Sequence, residues 1–301
     1  MEPIIEINGL GRRFWRQASP ALDGVSLVVP RGGVYGLVGN NGAGKTTLLK
    51  HILGLHRAKT GSVRVFGHDP QREPTEVLRR LGYLSEDRDL PGWMRVWELL
   101  RYMRAFYPNW DPKYAQELCE TFGLDQQTLV SKLSRGELAQ AGLICALAHR
   151  PELLVLDEPS SGLDPIVRRD ILTAIIRTVA DEGRTVLFSS HLLDEVERVA
   201  DRVAMLHDGK LVLEGALEEI KESHYRASVY SPEGGDSLPP WPGQVRAEGH
   251  GAERTVWFQG DADAFRAALA ERGGEVRAAV PATLEEIFFL HAGKRPIAVE
   301  A

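Results

Sequence analysis

The chain has 301 residues, 43% of them hydrophobic and 26% charged, enough to bury a full α/β core with a small extra domain and too apolar for wholesale disorder. A formal charge of −6 with no long basic block argues against a nucleic-acid partner held by phosphate neutralisation. Only two cysteines occur, Cys119 and Cys145, which argues against a disulfide framework and for a reducing compartment. The first residues lack the basic-then-apolar layout of a secretory signal, and no run approaches the roughly 20 apolar residues of a membrane-spanning helix. A cytosolic protein, or one attached to a membrane through a partner, is expected.

Residues 3–7 and 25–29 read as short strands around a polar loop. Val34–Val38 is a β-branched run leading into a glycine-rich loop and a helix over Lys45–Leu53. Ser62–Phe66 is a further strand. From about Val96 to Leu124 the pattern turns helical, with Trp97, Leu100, Met103 and Tyr107 at helical spacing, and a second helical stretch covers about Arg135–Ala148. Leu153–Leu156 is a continuous apolar run suited to a strand buried on both faces of a parallel sheet. Ile171–Ala180 reads as helix, Thr185–Ser189 as strand and Leu192–Ala200 as helix. Val203–His207 and Lys210–Glu214 flank Asp208-Gly209, a two-residue hairpin turn. This alternation predicts an α/β fold with a mainly parallel sheet, interrupted by a helical insert over about 88–150.

After about Glu222 the character changes. Residues 231–244 are rich in proline and glycine and read as a linker or loop. Ala227–Tyr230, Thr255–Phe258 and Val276–Val280 read as strands, and 262–272 and 283–291 as helices. The second helix carries Glu285 and Glu286 beside Ile287, Phe288 and Phe289, an amphipathic packing element. The expected division is therefore 1–222 and a small α+β domain over 223–301.

The run Gly39-Asn40-Asn41-Gly42-Ala43-Gly44-Lys45-Thr46 matches the pattern G-x-x-x-x-G-K-[ST] in its required setting of strand, loop and helix, and Thr47 continues that helix. The glycines let successive N–H groups curl around phosphate oxygens, and the helix N-terminus adds partial positive charge. Lys45 is placed for the β- and γ-phosphates and Thr46 for Mg²⁺. Leu153–Pro159 supplies the second half: Asp157, ending a buried strand, can hold the Mg²⁺ through water, and Glu158 is placed to polarise an attacking water. These features describe a P-loop nucleotidase that takes a nucleoside triphosphate with Mg²⁺.

Further motifs resemble the ATP-binding-cassette (ABC) family from residue 3 to about 222. Leu133-Ser134-Arg135-Gly136-Glu137 looks like that family's LSGGQ signature, and Ser160–Pro165 resembles its subunit-contacting loop. The resemblance implies that Ser134, Arg135, Gly136 and Glu137 close over the γ-phosphate of an opposite subunit, and that Ser161, Gly162, Leu163 and Asp164 touch that subunit's site. Ser134 read by itself is equally a helix N-cap. By the same resemblance His191 contacts the γ-phosphate, and Phe14, or alternatively Trp15, stacks on adenine. The chain departs from the family pattern in having Glu86 where glutamine is usual at a Mg²⁺-contacting position. It departs again with Arg135 and Glu137 inside the signature. Glutamate can bind Mg²⁺ but would repel the γ-phosphate without metal.

Residues 106–111, the signature, Leu147–Pro165 and Ser189–Val203 together resemble bacterial ATPase subunits that pair with separately encoded type 2 exporter permeases. That resemblance implies a dimer, homomeric or heteromeric, that energises export from the cytoplasmic face of the membrane. It also implies a permease-docking groove near Asp87–Phe106, which Trp93, Met94 and Trp97 would line unless they are core of the insert. The alternatives are a soluble ABC protein acting on ribosomes or DNA, which the acidity disfavours, and an ATP-dependent regulatory clamp.

Overall fold

The computed structural model describes residues 3–15, 19–180, 183–231, 238–239, 241–243, 245–249 and 251–292. It divides into two compact units, 1–211 and 212–301. In the first unit, β1 (Ile5–Arg12) pairs antiparallel with both β2 (Leu22–Val29) and β4 (Thr60–Val65). β3 (Gly33–Val38) instead starts the larger sheet. That sheet also takes β5 (Leu81–Leu84), β6 (Leu153–Asp157), β7 (Thr185–Ser190), β8 (Arg202–His207) and β9 (Lys210–Ala216), in the order β5-β6-β7-β3-β8-β9. The pairs β5–β6, β6–β7, β7–β3 and β3–β8 are all parallel. This is the predicted α/β core with its N-terminal antiparallel sheet.

Burial explains the placement. Every residue of β6 and of β7 is buried, as an apolar strand covered on both faces must be. β2 alternates between buried and exposed residues, since only one face of the small sheet meets the core. Ile5, Ile7, Leu27 and Val65 from that sheet share one cluster with Leu37, Val155 and Leu187 from the larger one and with Leu48 from the helix that follows β3. Asp208 (φ 46°) and Gly209 (φ 79°) both adopt the left-handed conformation that the predicted two-residue turn requires.

The helical insert is more broken than periodicity indicates. Its first stretch divides into α3 (Val96–Arg104) and α4 (Pro112–Phe122). Pro112 sits in the first turn of α4, where its missing N–H costs nothing, and the Asp111 carboxylate accepts from Tyr114 N at 3.0 Å. α5 (Arg135–Leu147) follows. α1 (Lys45–Ile52), α2 (Pro74–Leu78), α6 (Pro165–Ala180) and α7 (Leu193–Val199) are the remaining helices of this unit. α6 begins six residues before the predicted 171, because the Asp164 carboxylate accepts from the Ile166 and Val167 N–H groups at 3.0 and 3.1 Å. Met94 is buried (6% exposed), whereas Trp93 and Trp97 stand 76% and 37% exposed.

The second unit contains α8 (Leu217–Glu222), α9 (Ala262–Ala270) and α10 (Leu284–Ala292), with a four-stranded antiparallel sheet in the order β11-β12-β10-β13. Its strands are β10 (His224–Tyr230), β11 (Val245–Glu248), β12 (Glu253–Gln259) and β13 (Glu275–Pro281). The core is aromatic: Phe258 stacks on Phe265 at 4.0 Å, and Trp241 meets Phe265 edge-on at 5.1 Å. Within the predicted helix 283–291, Ile287 and Phe288 are buried. Most of residues 231–244, the predicted linker, lies outside the described residues.

Candidate active site

Three parallel strands deliver the site's chemistry at their C-terminal ends, the usual place for ligands in such sheets. β3 runs into the loop 39–44, β6 ends at Asp157, and β7 ends one residue before His191. Gly44 takes φ 109° at the start of α1, and a Cβ there would collide with the Ala21 carbonyl oxygen. Glycine is demanded by both the angle and the close approach. No side chain caps α1, so its first-turn N–H groups face the loop without a side-chain acceptor.

Lys45 is only 5% exposed. Its Nζ donates to the Gly39 carbonyl at 2.6 Å and pairs with Glu158 Oε1 at 3.0 Å. The other oxygen of Glu158 meets His191 Nδ1 at 2.7 Å. One carboxylate therefore bridges the phosphate-loop lysine and the histidine after β7. Glu158 itself is buried at φ 48°, an uncommon conformation for a residue with a Cβ.

Asp157 Oδ1 accepts from Thr46 Oγ1 at 3.2 Å and from Ser189 Oγ at 2.7 Å, while Ser189 Oγ accepts from the Glu158 N–H at 2.9 Å. Burial pushes the Asp157 carboxyl above its ordinary range, against the pull of these hydrogen bonds. Glu86 is likewise raised, by burial first and then by Asp157 and Glu158. Thr46, Asp157 and Glu86 offer oxygen ligands, the kind that a hard cation such as Mg²⁺ takes. Among the described residues no group of three His, Cys, Asp or Glu side chains could hold a metal unaided. A cation held here would need further oxygen ligands from a bound substrate.

A cleft of about 520 Å³ opens over this floor, lined by Asn40, Asn41, Gly42, Gly44, Lys45, Thr46, Thr47, Glu86 and Glu158, with Phe14 among its other walls. The partly buried Phe14 meets His56 edge-on at 5.6 Å and carries the Arg12 guanidinium 4.7 Å from its ring. Trp15 is 89% exposed and lines no wall of this cleft. Ala43 and Gly39 lie in the loop but do not line the cleft.

The signature residues stand elsewhere. Ser134 caps α5 in a reciprocal box, accepting from Glu137 N at 3.2 Å while its own N–H donates to Glu137 Oε2 at 2.8 Å. Ser134 and Arg135 are exposed, whereas Gly136 is buried so tightly that a Cβ would press on Val167. In the neighbouring turn Ser161 is partly exposed, Gly162 and Asp164 are exposed, and Leu163 is buried. No signature residue lines the cleft.

Sequence reasoning missed three residues. Ser189 faces Asp157 in register across β6 and β7, and its only signal was a polar residue ending an apolar strand. Glu195, 1% exposed, accepts from the Ser160 hydroxyl and pairs with Arg168 at 3.0 Å. Arg88 reaches the carbonyls of Pro159 and Ser161. A second, mostly apolar cleft of about 400 Å³ is lined by residues that include Leu55, Leu78, Leu90, Met103 and Tyr107, and Trp93, Met94 and Trp97 are not among them.

Comparison with known proteins follows the same lines. A family model described as ABC transporter matches residues 22–161. An uncharacterised ABC transporter ATP-binding protein of Nostoc sp. is 35% identical over 272 residues, covering 87% of this chain and 80% of that protein. The bacitracin transport ATP-binding protein of Bacillus licheniformis is 35% identical over 75% of this chain and 72% of its own length. The daunorubicin/doxorubicin resistance ATP-binding protein of Streptomyces peucetius is 36% identical over 73% and 67%. The solved structure of an ABC transporter ATP-binding subunit, 29% identical, matches with TM-score 0.67 over 73% of this chain and 92% of that one. A dimeric bacterial ABC transporter cassette, 21% identical with TM-score 0.64 over 71% and 98%, shares the fold.

Proposed function

Because the chain belongs to the family of ABC transporter ATP-binding proteins and is an ATPase of that kind, we propose that it powers export through a separate membrane permease by ATP-driven closure of a dimer. The second subunit is another copy or a paired relative. The observation that carries the reading is the Glu158 carboxylate, held between Lys45 at 3.0 Å and His191 at 2.7 Å on the floor of the phosphate-loop cleft.

Phe14 stacks on the base, and the loop from Gly39 to Thr47 takes the phosphates. Lys45 exchanges the Gly39 carbonyl and Glu158 for β- and γ-phosphate oxygens. That exchange frees Glu158 Oε1 to accept a proton from a water in line with the γ-phosphorus, while His191 holds the other oxygen. Thr46, Asp157 and Glu86 would hold Mg²⁺, which when bound neutralises phosphate charge. Ser134 uses a lone pair to cap its helix, so its O–H proton remains available to donate to the partner's γ-phosphate. Capping and phosphate recognition are thus compatible in one hydroxyl. Gly136 and Leu163, both buried, hold their segments in shape, while Arg135, Glu137, Ser161, Gly162 and Asp164 lie toward the second subunit. Closure excludes water and strengthens each charged contact.

We assign this chemistry to residues 1–222 and an accessory role to 223–301. The apolar cleft lined by Leu55, Leu78 and Met103 is the docking place for the permease, which holds the protein at the cytoplasmic face of the membrane. Among the described residues no helix is long and apolar enough to cross a membrane. Export is the direction because two relatives are named for bacitracin transport and drug resistance.

Two substitutions test the reading. Lys45→Ala should abolish ATP binding in a filter or calorimetric assay. Glu158→Gln should bind Mg·ATP, run as a dimer on size exclusion, and release phosphate at a rate lower by about 10²- to 10⁴-fold. Normal phosphate release by Glu158→Gln would end the assignment, and wild-type turnover no higher than this variant's would favour the regulatory clamp.

A further inference from the structure

Arg88 lines no wall of the phosphate-loop cleft, yet its side chain reaches the segment that follows Glu158. It sits between β5 and α3 in the left-handed conformation (φ 51°) and is 9% exposed. A single guanidinium nitrogen, Nη2, donates to the carbonyl oxygens of Pro159 at 3.1 Å and Ser161 at 3.0 Å. Those carbonyls bracket Ser160, whose hydroxyl donates to the buried carboxylate of Glu195. The turn is therefore held by a cation at two of its carbonyls and by an anion at the hydroxyl between them.

This grip bears on Glu158 directly. A non-glycine residue at φ 48° is strained by on the order of 1 kcal/mol and persists only when its surroundings over-determine it. The preceding side is fixed by the β6 ladder and by the Glu158 N–H on Ser189. The following side is fixed by Arg88 and Glu195. Burial draws the Arg88 guanidinium below its ordinary range, a cost that filling space with an apolar side chain would not incur. Arg88 also lines the apolar cleft, so one residue borders that cleft and the turn together.

We propose that Arg88 is a positioning residue for hydrolysis: through the Pro159 and Ser161 carbonyls it keeps Glu158 in its left-handed conformation, with the carboxylate set between Lys45 and His191. The proposal rests on Glu158 being the group that activates water. Loss of the grip lets the carboxylate drift without touching the phosphate cradle, so turnover falls while affinity holds. Because one nitrogen makes both bonds, lysine, with its single ammonium, can replace it.

The test compares Arg88→Met and Arg88→Lys in the full-length protein. For Arg88→Met, kcat should fall about tenfold to a hundredfold, as a displacement on the order of 1 Å would produce. The Kd for Mg·ATP, measured in a Glu158→Gln background, should stay within about twofold, and Arg88→Lys, whose ammonium has donors for both carbonyls, should restore most of the lost kcat. If Arg88→Met does not fold, Arg88→Gln, whose amide nitrogen falls short of both carbonyls, carries the same expectation. A wild-type kcat in Arg88→Met, a parallel loss of kcat and affinity, or an Arg88→Lys enzyme as slow as Arg88→Met would each overturn the proposal. The underlying reading fails separately: an active Glu158→Gln enzyme removes it, whereas an inactive Glu158→Gln beside a fully active Arg88→Met removes only Arg88.

Discussion

Glu86 offers the sharpest test of the site's electrostatics. It stands on the wall of the cleft with Glu158, close enough to Asp157 and Glu158 that both raise its pKa, behind the larger effect of burial. For a carboxylate on the wall of this cleft and a γ-phosphate bound within it, a separation of roughly 7 Å is assumed. At that separation one pair of unit charges interacts by about 2.4 kcal/mol at an effective dielectric of about 20 and about 0.6 kcal/mol in bulk water. Glu86 is exposed on one side, so an intermediate dielectric of about 40 applies, giving about 1.2 kcal/mol. Glu86→Gln should therefore tighten metal-free ATP binding nearly tenfold in EDTA. The gain should shrink in high salt, where exposed charges are screened. With Mg²⁺ present the gain should be smaller still, because the cation offsets the same repulsion. Isothermal titration of ATP in EDTA and in Mg²⁺, each at low and high salt, reads all of these. Equal shifts in EDTA and Mg²⁺, or a salt-independent shift, would refute the electrostatic account.

Three further outcomes follow from hydrogen bonds and titration. Ser134→Ala should cost about 1 kcal/mol in urea denaturation by removing the cap of α5 and should also lower turnover. Glu137→Gln should leave both nearly unchanged, since glutamate and glutamine serve that box alike. In the second unit, His224 Nε2 and His291 Nε2 meet at 3.0 Å, and burial, then His224, draws His291 down to about 4. Between about pH 6.5 and 4 the unfolded chain binds a proton at this residue that the folded unit does not. Its stability contribution is therefore complete above about pH 6.5 and is lost as pH falls toward 4, by about 2 kcal/mol at pH 5. Hydrogen exchange in α10 should show wild type losing about that much more than His291→Gln between pH 7.5 and 5, and matching losses would exclude it.

Much of the fold was legible because it rests on local patterns. The alternation of apolar strands with helices predicted the parallel sheet, and Asp208-Gly209 predicted a hairpin that both residues' positive φ angles confirm. What escaped depended on which neighbour covers a surface. Residues 96–124 carry helical periodicity throughout, but Asp111 and Pro112 start a new helix inside it, a cap readable only once a break is suspected. Met94 is core while Trp93 is exposed, although the two are adjacent and both apolar. β11 is four residues long with no buried position, so it offers no alternating pattern to detect.

The candidate site divides along the same line, between what a motif encodes and what adjacency creates. Lys45, Thr46, Asp157 and Glu158 announce themselves because phosphate chemistry constrains spacing within two short segments. Ser189 and Arg88 lie 32 and 70 residues from Asp157 and Glu158, respectively, and bond to them or to the next turn only because β5, β6 and β7 lie side by side. Ser189 was recoverable in principle: parallel pairing of β6 with β7 puts residue 189 opposite 157, and a serine closing the run Thr185–Phe188 needs a polar partner. Arg88 was not, because its reach to two backbone carbonyls depends on a positive φ that no residue type signals there. The conformation of Glu158 has the same character. Its carboxylate is placed by a strained backbone angle, and strain of that kind is held by packing from distant segments, which leave no mark on the residue's immediate sequence.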